Sequence, residues 1–199
     1  MADQRKIILA SSSPYRRALL KRLDLSFRSA RPGFDERDPE PGETPSAYTR
    51  AMAERKARSL AGRHPSALIL GSDQIAVCDG EILRKPGTGA RAVRQLLKLA
   101  GREHRLITAV ALVDAPSGQA RTEVVVNRLR VRPLTRAEAR AYVERERPLD
   151  CAGAYKTEGL GVTLFDYMRG DDPTALIGLP LISVRRLLNQ AGISLPASK

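Results

Sequence analysis

Lys6-Ile7-Ile8-Leu9-Ala10-Ser11-Ser12-Ser13-Pro14-Tyr15-Arg16-Arg17-Ala18-Leu19-Leu20-Lys21-Arg22-Leu23 is the stretch from which the fold is read. Lys6 to Ala10 reads as a short buried strand, because its apolar run leaves no alternation for a solvated face. Ser13 then offers a capping oxygen and Pro14 suits the first helical position, so a helix is expected to about Leu23, with Leu19, Leu20 and Leu23 inward.

Outward from there, Thr44-Pro45 repeats the start signal for a helix to about Leu60, and Leu68-Ile69-Leu70-Gly71 is a second apolar strand ending at Ser72-Asp73-Gln74. Ile75 to Leu83 reads as a hairpin around Asp79-Gly80. Thr88 opens a helix that Gly101 closes. His104 to Asp114 and Gln119 to Arg132 read as long strands, antiparallel across Pro116-Ser117-Gly118. Thr135 and Glu138 have capping-box spacing for a helix to about Glu146. Cys151 to Gly161 is a Gly-punctuated loop, Val162 to Phe165 a strand, and Pro180 begins a final helix stopped by Gly192. Alternation followed by long antiparallel strands predicts an α/β fold: a mixed sheet flanked by helices rather than a purely doubly wound one. No repeat or linker interrupts the 199 residues, so one domain is expected over 1–199, with a single core or two lobes around a cleft.

Bulk properties narrow the function. No apolar run approaches the roughly 18 to 20 residues of a membrane span, and Met1 to Lys6 lack the layout of a secretory signal. Cys78 and Cys151 are too few for a disulfide scaffold, which fits a cytoplasmic protein. The net charge of +12 suggests either polyanionic ligands or an Arg-rich solvated exterior with no specific role. Nucleic acid is not expected as the main ligand, because the basic residues are dispersed, Trp is absent and aromatics make up only 4%.

Three features suggest phosphoryl chemistry. Arg16 and Arg17 sit in the first turn of a helix, whose N-terminus is already partly positive; either they face solvent or acids such as Glu36, or an anion lies between them. Asp73 follows an apolar strand, where side chains project into clefts, and Glu36 and Glu158 are further acids in non-helical settings. Lys56, Lys85 and Lys156 are cations suited to a triphosphate, which brings about four negative charges. There is no Walker-type loop and no metal-binding His pair. His64 and His104 lack matched partners, and neither cysteine has the setting of a nucleophile.

Together, Ile8 to Pro14 with Arg16-Arg17, Asp35-Glu36, Gly71-Ser72-Asp73-Gln74, Lys85-Pro86, and Cys151-Ala152-Gly153 with Glu158-Gly159 resemble the Maf family of nucleotide pyrophosphatases, from about Lys6 to Gly192. The resemblance implies an elongated mixed α/β fold akin to the inosine-triphosphate pyrophosphatases, two lobes around a cleft, and a homodimer. It implies hydrolysis of a nucleoside triphosphate to the monophosphate and pyrophosphate with a divalent cation (Mg²⁺, Mn²⁺ or Co²⁺). By position it makes Asp73 the catalytic carboxylate and Glu36 a metal-linked acid, and it makes Ser11, Arg16, Lys56 and Lys85 the phosphate-holding groups. Asp73-Gln74 and Glu158-Gly159 differ from the Asp-Thr and Gln-Gly of the branch acting on thymidine and uridine triphosphates and are similar to the 7-methyl-GTP pyrophosphatases. Tyr15 stands where those often carry Trp. Tyr15, Gln74 and Glu158 are thus the expected specificity residues, since an aromatic face and a carboxylate both favour a cationic base. The alternatives are a dTTP/UTP pyrophosphatase and a non-catalytic nucleotide sensor acting on cell division.

Overall fold

Ile7-Ile8-Leu9-Ala10 form β1 (Ile7–Ala10), and all four are buried. The strand pairs in parallel on one edge with β2 (Phe27–Ala30) and on the other with β3 (Leu68–Cys78), and the residues of both its faces are buried, so the apolar run follows. The computed structural model describes residues 5–34 and 36–196; Asp35, part of the acidic pair read from the sequence, lies outside them. The remaining strands are β4 (Glu81–Leu83), β5 (Glu103–Asp114), β6 (Ala120–Val131) and β7 (Phe165–Arg169). The helices are α1 (Pro14–Lys21), α2 (Pro45–Arg58), α3 (Gly89–Leu99), α4 (Arg136–Glu146) and α5 (Leu181–Gln190). The seven-stranded sheet has the order β2-β1-β3-β5-β6-β7, with β4 paired to β3. This is the mixed α/β class the sequence indicates. Among the described residues, no helix is long and apolar enough to cross a membrane.

By internal contacts the chain forms two compact units: Met1–Asp73, Thr108–Val125 and Asp172–Lys199 in the first, Gln74–Ile107 and Val126–Asp171 in the second. Strand alternation sorts the first unit's core into two faces. Ile7, Leu9, Leu68 and Leu70 pack with Leu19 and Leu20 of α1 and Val184, Leu187 and Leu188 of α5. Ile8, Ala10 and Ile69 pack with Ala57 and Leu60 at the end of α2. In the second unit α3 packs on α4, and His104, Tyr155 and Phe165 form an aromatic cluster, with Tyr155 edge-on to Phe165 at a centroid distance of 5.0 Å.

Four of the capping signals are realised: Ser13, Thr44, Thr88 and Thr135 each accept from the backbone N–H three residues on, and Thr135 with Glu138 completes a capping box. The structure departs from the sequence reading at three places. β2 was not anticipated, because Phe27-Arg28-Ser29-Ala30 is short, mixed in polarity and at the sheet edge. β3 does not stop at Gln74 but runs eleven residues, since Ser72 and Asp73 find polar partners within the protein. The expected strand over Val162 to Phe165 is displaced: Leu160–Leu164 winds as a 3-10 helix, and pairing with β6 begins only at Phe165, opposite Val131.

Candidate active site

Gly71 fixes the distance between β3 and α2. A Cβ there would lie 2.2 Å from the Ala53 carbonyl oxygen and 2.7 Å from the Ala57 nitrogen, so helix backbone rests on strand backbone and only glycine fits. Asp73 is two residues along and faces the same side of the strand. Lys56, three residues after Ala53, faces the same side of the helix. The close approach therefore joins them: Lys56 Nζ donates to Asp73 Oδ1 at 2.5 Å, and both residues are 8% exposed. Glu36, on the loop before α2 and largely exposed, brings Oε1 to 2.8 Å from the same ammonium.

Helix α1 delivers the second cation. Ser11, buried at the end of β1, accepts from Ser13 N at 3.1 Å, and Ser13 Oγ accepts from Arg16 N at 3.4 Å. No acid occupies the first turn of α1. Arg16, half-buried, donates from Nε to the Gly178 carbonyl at 2.9 Å. Burial lowers its pKa, opposed by the nearby carboxylates of Asp73 and Glu36. Arg16 is thus held by the Gly178 carbonyl, with the Asp73 and Glu36 carboxylates offsetting part of the penalty of burial, while Arg17 is exposed. Tyr15 is half-buried on the same turn.

Ser72 and Gly178 escaped sequence reasoning. Ser72 points to the face opposite Asp73, and its hydroxyl lies 2.8 Å from the carbonyl oxygens of both Ala109 and Gly178. Gly178 O therefore receives both Ser72 and Arg16, tying the strand that carries Asp73 to the helix that carries Arg16. A serine before an aspartate and a distant Gly-Leu-Pro carry no sequence signal for a shared carbonyl.

Ser11, Tyr15, Arg16, Glu36, Lys56 and Asp73 belong to the first unit; Gln74, Lys85 and Glu158 belong to the second. Gln74 is half-buried on β3, while Lys85 and Glu158 are exposed. Lys156 is occupied structurally: its Nζ donates to the Glu146 carbonyl at the end of α4 at 2.8 Å, and its N–H to Tyr142 Oη at 3.0 Å. Cys78 is buried in β3 with its thiol pKa raised, and burial pushes the Cys151 thiol up to about 12, so neither is a ready thiolate.

Among the described residues no group of three or more His, Cys, Asp or Glu is placed to hold a metal alone. The donor set does suit Mg²⁺ or Mn²⁺, which are commonly bound by one or two carboxylates completed by substrate phosphates and water. Asp73 and Glu36 supply such a pair, converging on one ammonium. Lys56 and Arg16 balance the charge of these two carboxylates.

A protein of Aromatoleum aromaticum named 7-methyl-GTP pyrophosphatase is 51% identical over 191 residues, covering 96% of this chain and 98% of that protein. One of the same name from Pseudomonas aeruginosa is 47% identical over 190 residues, covering 96% and 98%. Among solved structures, a nucleoside-triphosphatase / dITP/XTP pyrophosphatase from Mycobacterium abscessus is similar with a TM-score of 0.46 and 19% identity, over 96% of this chain and 100% of that one. Residues 6–191 match the family described as Maf-like protein, and the chain belongs to that family.

Proposed function

We propose that this protein is a nucleoside triphosphate pyrophosphatase that hydrolyses 7-methyl-GTP to the monophosphate and pyrophosphate. The observation that carries the reading is the buried Lys56 between Asp73 and Glu36, with Arg16 electrostatically coupled to both acids. Membership of the Maf family and the shared name of relatives near half identity support the choice of reaction and base.

Water attacks the α-phosphorus in line, the bond from that phosphorus to the bridging oxygen breaks, and pyrophosphate leaves. Asp73 receives the proton or orients the water, and Lys56 holds the carboxylate in place at 2.5 Å. Arg16 and Lys56 offset the charge that grows on the leaving oxygens, and Ser11 holds a phosphate. Asp73 and Glu36 would hold the divalent cation, which supplies Lewis-acid polarisation of the phosphoryl oxygens when bound. Lys85 is assigned to phosphate, and Tyr15, Gln74 and Glu158 to the base, by resemblance. An aromatic ring and a carboxylate both favour 7-methylguanine, which is cationic. A homodimer acting in the cytoplasm completes the proposal.

The test is pyrophosphate release from a panel including 7-methyl-GTP, GTP, UTP and TTP, with Mg²⁺, Mn²⁺ or Co²⁺ and without metal. Metal-dependent turnover with 7-methyl-GTP preferred supports the reading. Preference for UTP or TTP overturns the base assignment, and tight nucleotide binding without turnover overturns the reaction in favour of a sensor.

A further inference from the structure

The second unit contains a cavity of about 250 Å³ lined by Asp79, Glu103, His104, Arg105 and Arg128, among others. None of the residues assigned to the reaction lines it. Asp79 is ion-paired, with Oδ2 2.6 Å from Arg102 Nη1, whereas Glu103 Oε2 accepts from Tyr167 Oη at 2.5 Å and keeps its single negative charge, fewer than the positive charges of the arginines around it. Arg105 on β5 and Arg128 on β6 are exposed and form no ion pair among the described residues. Arg128 also stands directly opposite Arg169 of β7, and like charges in cross-strand register destabilise a sheet unless something negative separates them. Arg169 stacks on Tyr167, with its guanidinium carbon 4.4 Å from the ring centroid, which leaves its charge uncancelled.

We propose that this cavity is a second, non-catalytic site for a small phosphate-class oxyanion, clamped by the guanidinium forks of Arg105 and Arg128 with Arg169 adding charge. Guanidinium matches phosphate oxygens bidentately. The volume falls below the ~300–1,000 Å³ of sites that enclose organic ligands, which favours inorganic phosphate or pyrophosphate over a whole nucleotide. The site does not depend on the reaction proposed above.

The experiment is calorimetric titration of inorganic pyrophosphate, without divalent metal, into the wild type, Arg105→Gln/Arg128→Gln, and a control, Arg91→Gln/Arg94→Gln, that removes two exposed arginines of α3. The wild type is expected to show a binding component that the Arg105/Arg128 variant weakens about tenfold or more and the control leaves intact. That variant should retain the wild-type rate of nucleotide hydrolysis. Its thermal midpoint without anion should be no lower than wild type, because a like-charge pair has been relieved. Each single substitution repeats the measurement if the double variant does not unfold cooperatively. Identical titrations for wild type and Arg105→Gln/Arg128→Gln, or equal weakening in the control, would overturn the site.

Discussion

Each unit has a polar centre, and the two differ in kind. In the first, Lys56 and Asp73 are charged, each 8% exposed, and joined by the exposed carboxylate of Glu36. In the second, His104 and Tyr155, 2% and 4% exposed, share a 2.8 Å hydrogen bond beside Phe165. Burial lowers the His104 pKa to about 4 and raises that of Tyr155, so the second centre is neutral near pH 7. A folded chain hides neutral polar groups at modest cost, whereas charges so near the interior require close partners. The charged centre is where chemistry is expected and the neutral one is a fastening. Substitutions should therefore separate them, with catalysis failing at one and only stability at the other.

The largest expected effect is Asp73→Asn. Shape is kept but the charge facing Lys56 is removed, and pyrophosphate release should fall about 10³-fold under saturating metal. Near wild-type turnover would remove Asp73 from the reaction altogether. Next comes Gly71→Ala, which sets a methyl 2.2 Å from the Ala53 carbonyl oxygen and forces α2 off β3. Overpacking against backbone that cannot rotate away should cost about 3 kcal/mol in denaturant unfolding, and activity should fall too as Lys56 is displaced. A stable, fully active variant would mean that this close approach does not position Lys56.

The third effect is pH-dependent and belongs to the neutral centre. His104 titrates near 6.5 when unfolded and at about 4 when folded, so between these values the unfolded chain binds a proton that the folded chain refuses. Its contribution is fully present above about pH 6.5 and is lost as pH falls toward 4, by at most about 3.4 kcal/mol at 1.36 kcal/mol per unit. Unfolding midpoints of wild type and His104→Gln across this range should converge at low pH, and parallel curves would refute the assignment.

Legibility in the sequence followed the range of the interactions. Helix starts at Ser13, Thr44, Thr88 and Thr135 were readable because a cap is made within three residues, and β1 because a strand buried on both faces must be apolar throughout. Asp73 and Arg16 stood out as charges where local structure makes charge awkward. The burial of Lys56 was not legible, since an isolated helix lysine reads as solvated and only the distant Gly71 brings it to Asp73. The shared acceptor Gly178 O was hidden for the same reason, as it unites residues more than a hundred positions apart.

The smallest effect sharpens the contrast most. Tyr155→Phe deletes one oxygen and leaves His104 Nε2 without its partner, while Nδ1 already has none among the described residues. A buried imidazole stripped of its hydrogen bond should cost about 1–3 kcal/mol of stability, and the ring contact with Phe165 at 5.0 Å is retained. No atom of the Lys56, Asp73 and Glu36 cluster is altered, so kcat and KM should match wild type at temperatures where the variant is folded. Lost stability with unchanged kinetics would identify the second centre as structural. A drop in kcat without lost stability would instead make His104 or Tyr155 a participant in the reaction and erase the distinction between the two centres.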